Sequence, residues 1–426
     1  MRWFLTLLSL FLHNSNSHEE SSHFNLNPGS EFDLKPIVFN VELLIVTDYS
    51  VYKMHEKIIN SKKWNKYNEK DERLVVNHIK TYYTEIINQV NQRFEASFKD
   101  DPDIRIKISI SNFFISKKQE DSLWSEGFSY ENLDEKVNGD LSLIEFNAWI
   151  ENNREIFSDF DHAFGVTAKD LVSDDAKMDY NGLGYIYGIC QKLFSGSLIE
   201  DKGAFESVRS FAHELAHNLG TDHDGLANSK ECPEWDNYIM APKFFPYNQL
   251  NSWKFSKCSI KKMKEFLLES KNNECLMNEP KENIDGSNYE LYPGQIYNLF
   301  DQCQLLHGPN STPCFEYESI FCQSLFCRSN GTESDCVWVA PATEGSDCGE
   351  EKWCMKGNCE PKSEKNLKTK KSDDKNPNQE PINKCLDLMD EDFCDTVVTN
   401  DYCDEMFYWN GKSIAYDWCK KKCKNC

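Results

Sequence analysis

The chain has 426 residues and a formal net charge of −23. Nucleic acid and anionic membranes repel a protein of this charge, so neither is an expected partner, and the acidic surface mainly favours solubility. The length suits about two to four domains. The 18 cysteines, an even number, indicate an oxidising destination in which disulfides form.

The first 35 residues show no pattern of a folded core. Residues 1–17 combine a basic Arg2, an apolar run over 3–12 and small residues near the end, as in a secretory signal peptide. That run is too short to cross a bilayer, and no later stretch approaches the required length. We therefore expect a secreted protein without a membrane span. Residues 18–35 are polar and are expected to be disordered.

Hydrophobic periodicity predicts an α/β domain over residues 36–280. Residues 37–46 form a nearly continuous apolar run, as in a buried central strand. Apolar residues every three or four positions predict a long amphipathic helix over 74–94. Isoleucine at every second position over 104–110 predicts a strand with one buried face. Two further strands and a helix are predicted over residues 163–167, 183–190 and 205–219.

The last of these helices carries the sequence HELAHNLGTDHD over residues 213–224. His213 and His217 are four residues apart, so both imidazoles project from one helix face and can bind one ion. Gly220 can adopt the left-handed conformation that ends a helix, which returns His223 as a third ligand. Three neutral imidazoles hold Zn²⁺ and leave the fourth position to water. A structural zinc would need a closing ligand such as cysteine, and the motif offers none.

The glutamate of this motif is the candidate catalytic residue. Glu214 is tethered too closely to His213 to bind the ion, but it can hydrogen-bond the zinc-bound water. We expect Glu214 to take a proton from that water as general base and to pass it to the departing amine. The ion would polarise the scissile carbonyl and stabilise the oxyanion.

The pattern HExxHxxGxxHD, followed by NYIMA over 237–241, resembles the adamalysin (reprolysin) branch of the metzincin zinc endopeptidases. Asp224, directly after the third histidine, is characteristic of that branch. The resemblance implies a metzincin catalytic domain of the α/β class, with a mixed, mostly parallel twisted sheet and long helices. It also implies a monomeric zinc metalloendopeptidase in which Met240 is the Met-turn residue, an apolar floor beneath the three imidazoles.

The same resemblance implies a calcium ion remote from the zinc. Its ligands would be Glu42, Asp161 and Asn278, whose oxygen atoms suit a hard cation. The alternative is that these are three unrelated surface polar residues. The resemblance further implies two disulfides in this domain, Cys190–Cys275 and Cys232–Cys258.

Two segments are predicted to contact the substrate, which we expect to be an extracellular or host protein. Residues 183–189 resemble the edge strand of the family, against which an extended peptide pairs. The alternative is an ordinary strand of the sheet. Aromatic residues between positions 225 and 260 suggest an apolar pocket, namely Trp235, Phe244, Phe245 and Trp253.

Residues 291–360 contain eight cysteines, a density typical of a small loop-rich domain stabilised by disulfides. The segment resembles the cysteine-rich, disintegrin-like module that ADAMTS proteases place after their catalytic domain. The sequence leaves the pairing of the eight cysteines open, and it contains no RGD tripeptide that would support integrin binding. Asn310 and Asn330 lie in glycosylation sequons.

The chain is expected to end with a linker and a third small domain. Residues 361–384 are polar and cannot bury a core, which predicts a flexible linker. Residues 385–426 carry six cysteines and resemble the ShKT domain, although composition alone allows about 15 connectivities. The resemblance implies the pairs Cys385–Cys426, Cys394–Cys419 and Cys403–Cys423. The long loop before Cys419 and the lack of a Lys-Tyr pair argue against potassium-channel block and favour an adhesive or substrate-binding accessory.

An alternative function is a secreted binding protein or toxin that acts through its cysteine-rich and ShKT modules. The presence of Glu214 with all three histidines argues against it, because nothing structural requires the glutamate. The sequence departs from the family before the first strand, where about 18 polar residues and no cysteine replace the long prodomain. Either the protein lacks latency of that kind or this chain is a shortened product. Thrombospondin-like repeats are also missing.

Overall fold

The computed structural model describes residues 35–362 and the short strand pair at 408–409 and 412–413. Within 35–362 it leaves out residues 62–71, 131–132, 158–159, 227–228, 245–247, 270–272, 280–290 and 330–335. Most of the predicted linker, the three predicted ShKT disulfides and Asn330 therefore lie outside the described residues, as do the predicted signal peptide and residues 18–34. Among the described residues, no helix is both long and apolar enough to cross a membrane.

Eight α-helices are described. They are α1 (Tyr49–Ser61), α2 (Glu72–Phe98), α3 (Leu123–Glu126), α4 (Gly139–Asn152), α5 (Val208–Asn218), α6 (Lys257–Glu269), α7 (Pro293–Ile296) and α8 (Leu299–His307). The first nine strands are β1 (Ile37–Thr47), β2 (Ile104–Ile115), β3 (Ser129–Tyr130), β4 (Leu133–Asn138), β5 (His162–Thr167), β6 (Asp170–Val172), β7 (Asp179–Tyr180), β8 (Gly182–Gly184) and β9 (Gly196–Glu200).

The central sheet has the strand order β2-β1-β5-β9-β8. The first four strands are parallel, and β8 runs antiparallel to β9 at the edge. Strand β1 is buried along nearly its whole length because helices cover both faces of the sheet. A second sheet of short strands has the order β3-β4-β6-β7.

Two apolar clusters lie on opposite faces of the central sheet. On one face α1, α2 and α5 pack through a large cluster that includes Leu43, Tyr83 and Phe211. On the other face α3 and α4 pack through Trp124 and Phe146. This mixed, mostly parallel sheet between helices confirms the predicted α/β fold class.

The strand predicted over 183–190 is wrong beyond its first residues, because regular pairing in β8 ends at Gly184. Tyr187 and Cys190 have φ values of 65° and 61°, which no regular strand permits. The backbone N–H of Tyr187 donates instead to the carbonyl of His217, at the end of α5. The chain therefore leaves the sheet to follow the end of this helix.

The cysteine-rich part consists of two helices and two three-stranded antiparallel sheets. Its strands are β10 (Thr312–Pro313), β11 (Leu325–Arg328), β12 (Val337–Ala340), β13 (Asp347–Gly349), β14 (Lys352–Met355) and β15 (Asn358–Pro361). Four disulfides hold it, Cys303–Cys327, Cys314–Cys336, Cys322–Cys354 and Cys348–Cys359. The prediction of a disulfide-rich region after the α/β domain is thereby confirmed. The last described strands are β16 (Tyr408–Trp409) and β17 (Lys412–Ser413).

The cysteine-rich part and the α/β domain share their cores. Ile296, Tyr297 and Leu305 belong to the large cluster beneath α2 and α5. In return, Ala204 from the α/β domain packs in the core of the cysteine-rich part. Neither core is complete without the other part of the chain.

Candidate active site

Helix α5 presents His213 and His217 from one face, and both side chains are buried. The helix ends at Asn218, and Gly220 turns the chain with a φ of +96°. A Cβ there would lie 2.7 Å from the Phe266 side chain, so this turn needs glycine. The turn brings His223 back beside the two helical histidines.

The three imidazoles converge through their Nε2 atoms. His223 Nε2 lies 3.0 Å from His213 Nε2 and 3.2 Å from His217 Nε2. A tetrahedral zinc ion with Zn–N bonds of normal length separates two such nitrogens by ~3.3 Å. The spacing therefore fits a single zinc ion held by all three rings.

Backbone carbonyls fix the protonation of two of these rings. His213 Nδ1 donates to the carbonyl of Ile239 at 2.8 Å, and His217 Nδ1 donates to that of Thr221 at 2.7 Å. Each carbonyl can only accept, so Nδ1 carries the proton and Nε2 keeps its lone pair. Converging lone pairs repel each other unless a cation lies between them, which is the chemistry of a metal site.

Burial also keeps the three histidines neutral. Desolvation lowers the pKa of His213 well below its ordinary value, and neighbouring charges, first that of His217, lower it further. Burial lowers the pKa of His217 to about 4, and it lowers that of His223 as well. Neutral imidazole is the form that binds zinc.

Glu214 is buried against the edge strand β8. A Cβ at Gly182 would lie 2.9 Å from Glu214 Oε1, and one at Gly184 would lie 3.0 Å from Oε2. The glycines of β8 therefore make room for this carboxyl group beside the histidine face. Burial raises the pKa of Glu214 to about 8. A divalent cation nearby would favour the charged carboxylate and lower that pKa.

Ile239, Met240 and Ala241 are fully buried, and the chain around them is hydrogen-bonded to the histidine motif. The Asp224 N–H donates to the Met240 carbonyl at 2.9 Å. Arg209, one turn before His213 on α5, donates from Nη2 to the carbonyls of Tyr238 at 3.2 Å and Ala241 at 2.7 Å. Sequence reasoning missed Arg209, and no local pattern marks it, because both of its acceptors lie about 30 residues further along the chain.

The three predicted calcium ligands lie together beside the middle of β1, next to the start of β5. The Glu42 N–H donates to Asp161 Oδ2 at 2.8 Å, and Asn278 Nδ2 donates to Glu42 Oε2 at 3.2 Å. Asn40 donates to the carbonyl of Asn278 at 2.9 Å. Two carboxylates and an amide whose oxygen could turn inward are a donor set that calcium accepts. Calcium binding here stays a prediction.

Both disulfides implied for the α/β domain are present as bonds, Cys190–Cys275 and Cys232–Cys258. The first ties the turn after β8 to the segment before Asn278, and its sulfurs lie within 4.8 Å of an Asp161 carboxylate oxygen. Asn310 is exposed in a turn, where a glycan could be accommodated, and its glycosylation stays a prediction.

The aromatic residues proposed to line an apolar pocket have different surroundings. Trp253 is buried, with the Arg93 guanidinium 4.5 Å from its ring centre. Phe244 stacks on Trp338 of the cysteine-rich part at 5.1 Å. Trp235 is exposed, and Phe245 lies outside the described residues. Phe244 and Trp253 therefore contact other parts of the chain, and both line a small cavity beside the cysteine-rich part.

Comparison with known proteins gives two family matches. Residues 123–280 match the reprolysin (M12B) family of zinc metalloproteases, and residues 293–360 match ADAMTS cysteine-rich domain 2. These matches confirm the family resemblance based on the zinc motif and on the cysteine-rich segment.

Curated relatives support the same assignment. The chain is 27% identical over 345 residues to "A disintegrin and metalloproteinase with thrombospondin motifs like" of Bombyx mori, which covers 76% of this chain and 45% of that protein. It is 33% identical over 227 residues to "A disintegrin and metalloproteinase with thrombospondin motifs 20" of Homo sapiens, covering 52% of this chain and 12% of the relative. The chain thus spans less than half the length of these relatives.

Proposed function

Because the chain carries a reprolysin-type metalloprotease domain and an ADAMTS-type cysteine-rich domain, we propose that it is a secreted, monomeric zinc metalloendopeptidase. Its substrates would be extracellular or host proteins. The observation that carries the proposal is the convergence of three neutral imidazoles on one point, with the Glu214 carboxyl group buried beside them.

His213, His217 and His223 would hold the zinc ion, and Glu214 would do the proton chemistry. When bound, the ion supplies a Lewis acid that activates water and polarises a carbonyl. Glu214 holds its carboxylate where it can take a proton from the attacking water. It then delivers that proton to the departing amine nitrogen, so that the new amine leaves uncharged. The glycines of β8 keep the carboxylate in place without filling the space that it needs.

Strand β8 is the proposed docking edge for the substrate backbone. It pairs with β9 on one side and is the last strand in the order of the central sheet. Gly182 and Gly184 face Glu214, so a peptide paired along the outer edge would pass close to the catalytic carboxylate. Backbone pairing of this kind requires no particular side chain, which suits a protease that cleaves unfolded segments of proteins.

Cleavage of casein and of a mixture of fluorogenic peptides by the purified chain tests the proposal. We expect a zinc chelator and a peptide hydroxamate to abolish cleavage, and added zinc to restore it after the chelator. Glu214→Gln should keep one zinc ion per chain and reduce kcat by about 10²- to 10⁴-fold. His217→Ala should lose the metal itself. Full turnover by Glu214→Gln would refute the role of Glu214, and an inert wild type with bound zinc would favour a binding protein.

A further inference from the structure

The segment between Met240 and α6 contacts the cysteine-rich part at several places. We call its described residues, 242–244 and 248–256, the connecting loop. Phe244 stacks on Trp338 of β12 with ring centres 5.1 Å apart and ring planes 23° apart. Ser324 Oγ, which is buried, donates to Gln249 Oε1 at 2.8 Å. Both contacts join the loop to the cysteine-rich part through side chains.

A third contact is made by the tip of the β14–β15 hairpin. Lys356 and Gly357 form its two-residue turn with φ values of 50° and 77°, as in a type I′ turn. A Cβ at Gly357 would lie 2.7 Å from Trp253 Nε1 and 2.9 Å from Leu250 Cδ2. The hairpin tip therefore rests directly on the connecting loop, and only glycine allows this approach.

Trp253 is also held from within the α/β domain. Arg93 of α2 lies over its ring at 4.5 Å, an arrangement that favours a charged guanidinium. Burial lowers the pKa of Arg93 to about 10, and the nearby Glu344 of the cysteine-rich part opposes that shift. Arg93 thus stays charged at neutral pH and interacts with both the loop and the cysteine-rich part.

Two hydrogen bonds connect the end of the connecting loop to a zinc ligand. The Ile239 N–H donates to the carbonyl of Lys254, the residue after Trp253, at 3.1 Å. The carbonyl of Ile239 in turn accepts from His213 Nδ1 at 2.8 Å. A displacement of Lys254 would therefore change the orientation of the His213 ring.

We propose that the cysteine-rich part positions the connecting loop and, through it, the zinc site, so that it is required even for substrates that touch only the cleft. Trp338, Ser324 and Gly357 are positioning residues in this arrangement. The inference rests on the proposed peptidase function and adds to it a role for the second domain that does not depend on substrate docking. It also explains why Phe244 and Trp253 both contact the cysteine-rich part.

The test uses the full chain and a hexapeptide substrate, whose short length is chosen to confine its contacts to the cleft. Trp338→Ala removes the stack on Phe244, and Trp338→Phe retains an aromatic partner. The matched control is Val337→Ala, because Val337 is the neighbour of Trp338 in β12 and is 49% exposed. The measurements are kcat and KM for the hexapeptide, the rate of zinc release to a chromogenic chelator, and the melting temperature.

We expect Trp338→Ala to reduce kcat/KM about two- to tenfold, and the double variant Trp338→Ala/Ser324→Ala to reduce it tenfold or more. Zinc release should be faster by a similar factor in both variants. For Trp338→Phe, kcat/KM and the rate of zinc release should stay within about twofold of the wild type. This result would show that the loss in Trp338→Ala comes from the missing ring contact and not from general unfolding. Val337→Ala should change neither quantity.

The outcomes separate this inference from the proposed function. If the double variant cleaves the hexapeptide and retains zinc as Val337→Ala does, the positioning role is refuted while the peptidase function stands. Slower cleavage of casein alone would then indicate a docking surface. If the wild type fails to cleave any peptide, the proposed function is refuted, and the rate of zinc release still decides whether the cysteine-rich part positions the metal site.

Discussion

Tyr297 provides a direct test of whether the α/β domain and the cysteine-rich part fold as one unit. Its side chain is 1% exposed although it belongs to the cysteine-rich part by sequence. Its ring centre lies 5.1 Å from that of Phe205, 5.9 Å from that of His78 and 6.1 Å from that of Tyr82. All three neighbours belong to the α/β domain, so Tyr297→Ala opens a cavity inside that domain.

The expected cost follows from the size of the lost ring and from its contacts. Truncation of a buried aromatic residue to alanine typically costs about 3–5 kcal/mol, because burial is lost and a cavity remains. The three neighbouring rings are in edge-to-face orientations, whose loss adds to the cost. We expect about 3–4 kcal/mol for Tyr297→Ala, a large part of a typical free energy of unfolding. An unfolding entropy of about 2.1 cal/mol/K per residue over roughly 325 residues then predicts a fall in melting temperature of about 4–6 °C.

Tryptophan fluorescence and residual hydrolysis of a short peptide should be followed during the same thermal ramp. Tryptophan fluorescence measures the unfolding of both parts of the chain, and peptide hydrolysis measures only whether the active site is intact. The control is Tyr317→Ala, because Tyr317 is 41% exposed and its loss should cost about 1 kcal/mol or less. If Tyr297→Ala leaves the temperature at which hydrolysis is lost unchanged, the shared core does not couple the two parts and the reasoning fails.

Three further predictions concern single polar residues. Arg209→Leu removes the hydrogen bonds to the carbonyls of Tyr238 and Ala241 and should weaken zinc binding about 10- to 100-fold. The zinc affinity is measured in zinc buffers, and an unchanged affinity would contradict this prediction. Burial raises the pKa of Glu206 to about 7, so the folded state holds its proton below that pH. The contribution of Glu206 to stability is therefore largest below about pH 4.5, and it falls by up to about 3 kcal/mol as pH rises to about 7. The free energy of unfolding, measured by urea titration at several pH values, should lack this pH dependence in Glu206→Gln. The same pH dependence in the variant and the wild type would contradict the prediction. Calcium should raise the melting temperature of the wild type but not of Glu42→Gln, and equal shifts would argue against the calcium site.

The zinc motif could be predicted because its information is local. The four-residue spacing of His213 and His217 defines one helix face, and Gly220 shows where the chain must turn. The same holds for β2, where isoleucine at alternate positions from Ile104 marks the buried face. Such elements need no knowledge of distant partners, and the structure contains them close to the predicted bounds.

The errors and omissions arise where distant partners determine the local structure. The apolar run after Gly184 has the composition of a strand, yet the Tyr187 N–H bonds to the end of α5. Arg209 gives no signal in sequence because its partners are backbone carbonyls, which every residue possesses. The pairing of eight cysteines has about 105 solutions, and only the packing of the cysteine-rich part selects among them. These features depend on tertiary contacts, which the hydrophobic periodicity of a sequence does not indicate.

The orientation of the predicted zinc ligands depends on backbone atoms more than on side chains. His213 and His217 are held by the carbonyls of Ile239 and Thr221, and Arg209 also donates to carbonyls. A carbonyl acceptor persists when its side chain changes, provided that the backbone keeps its path. The path around Ile239 depends on the connecting loop and hence on contacts with the cysteine-rich part.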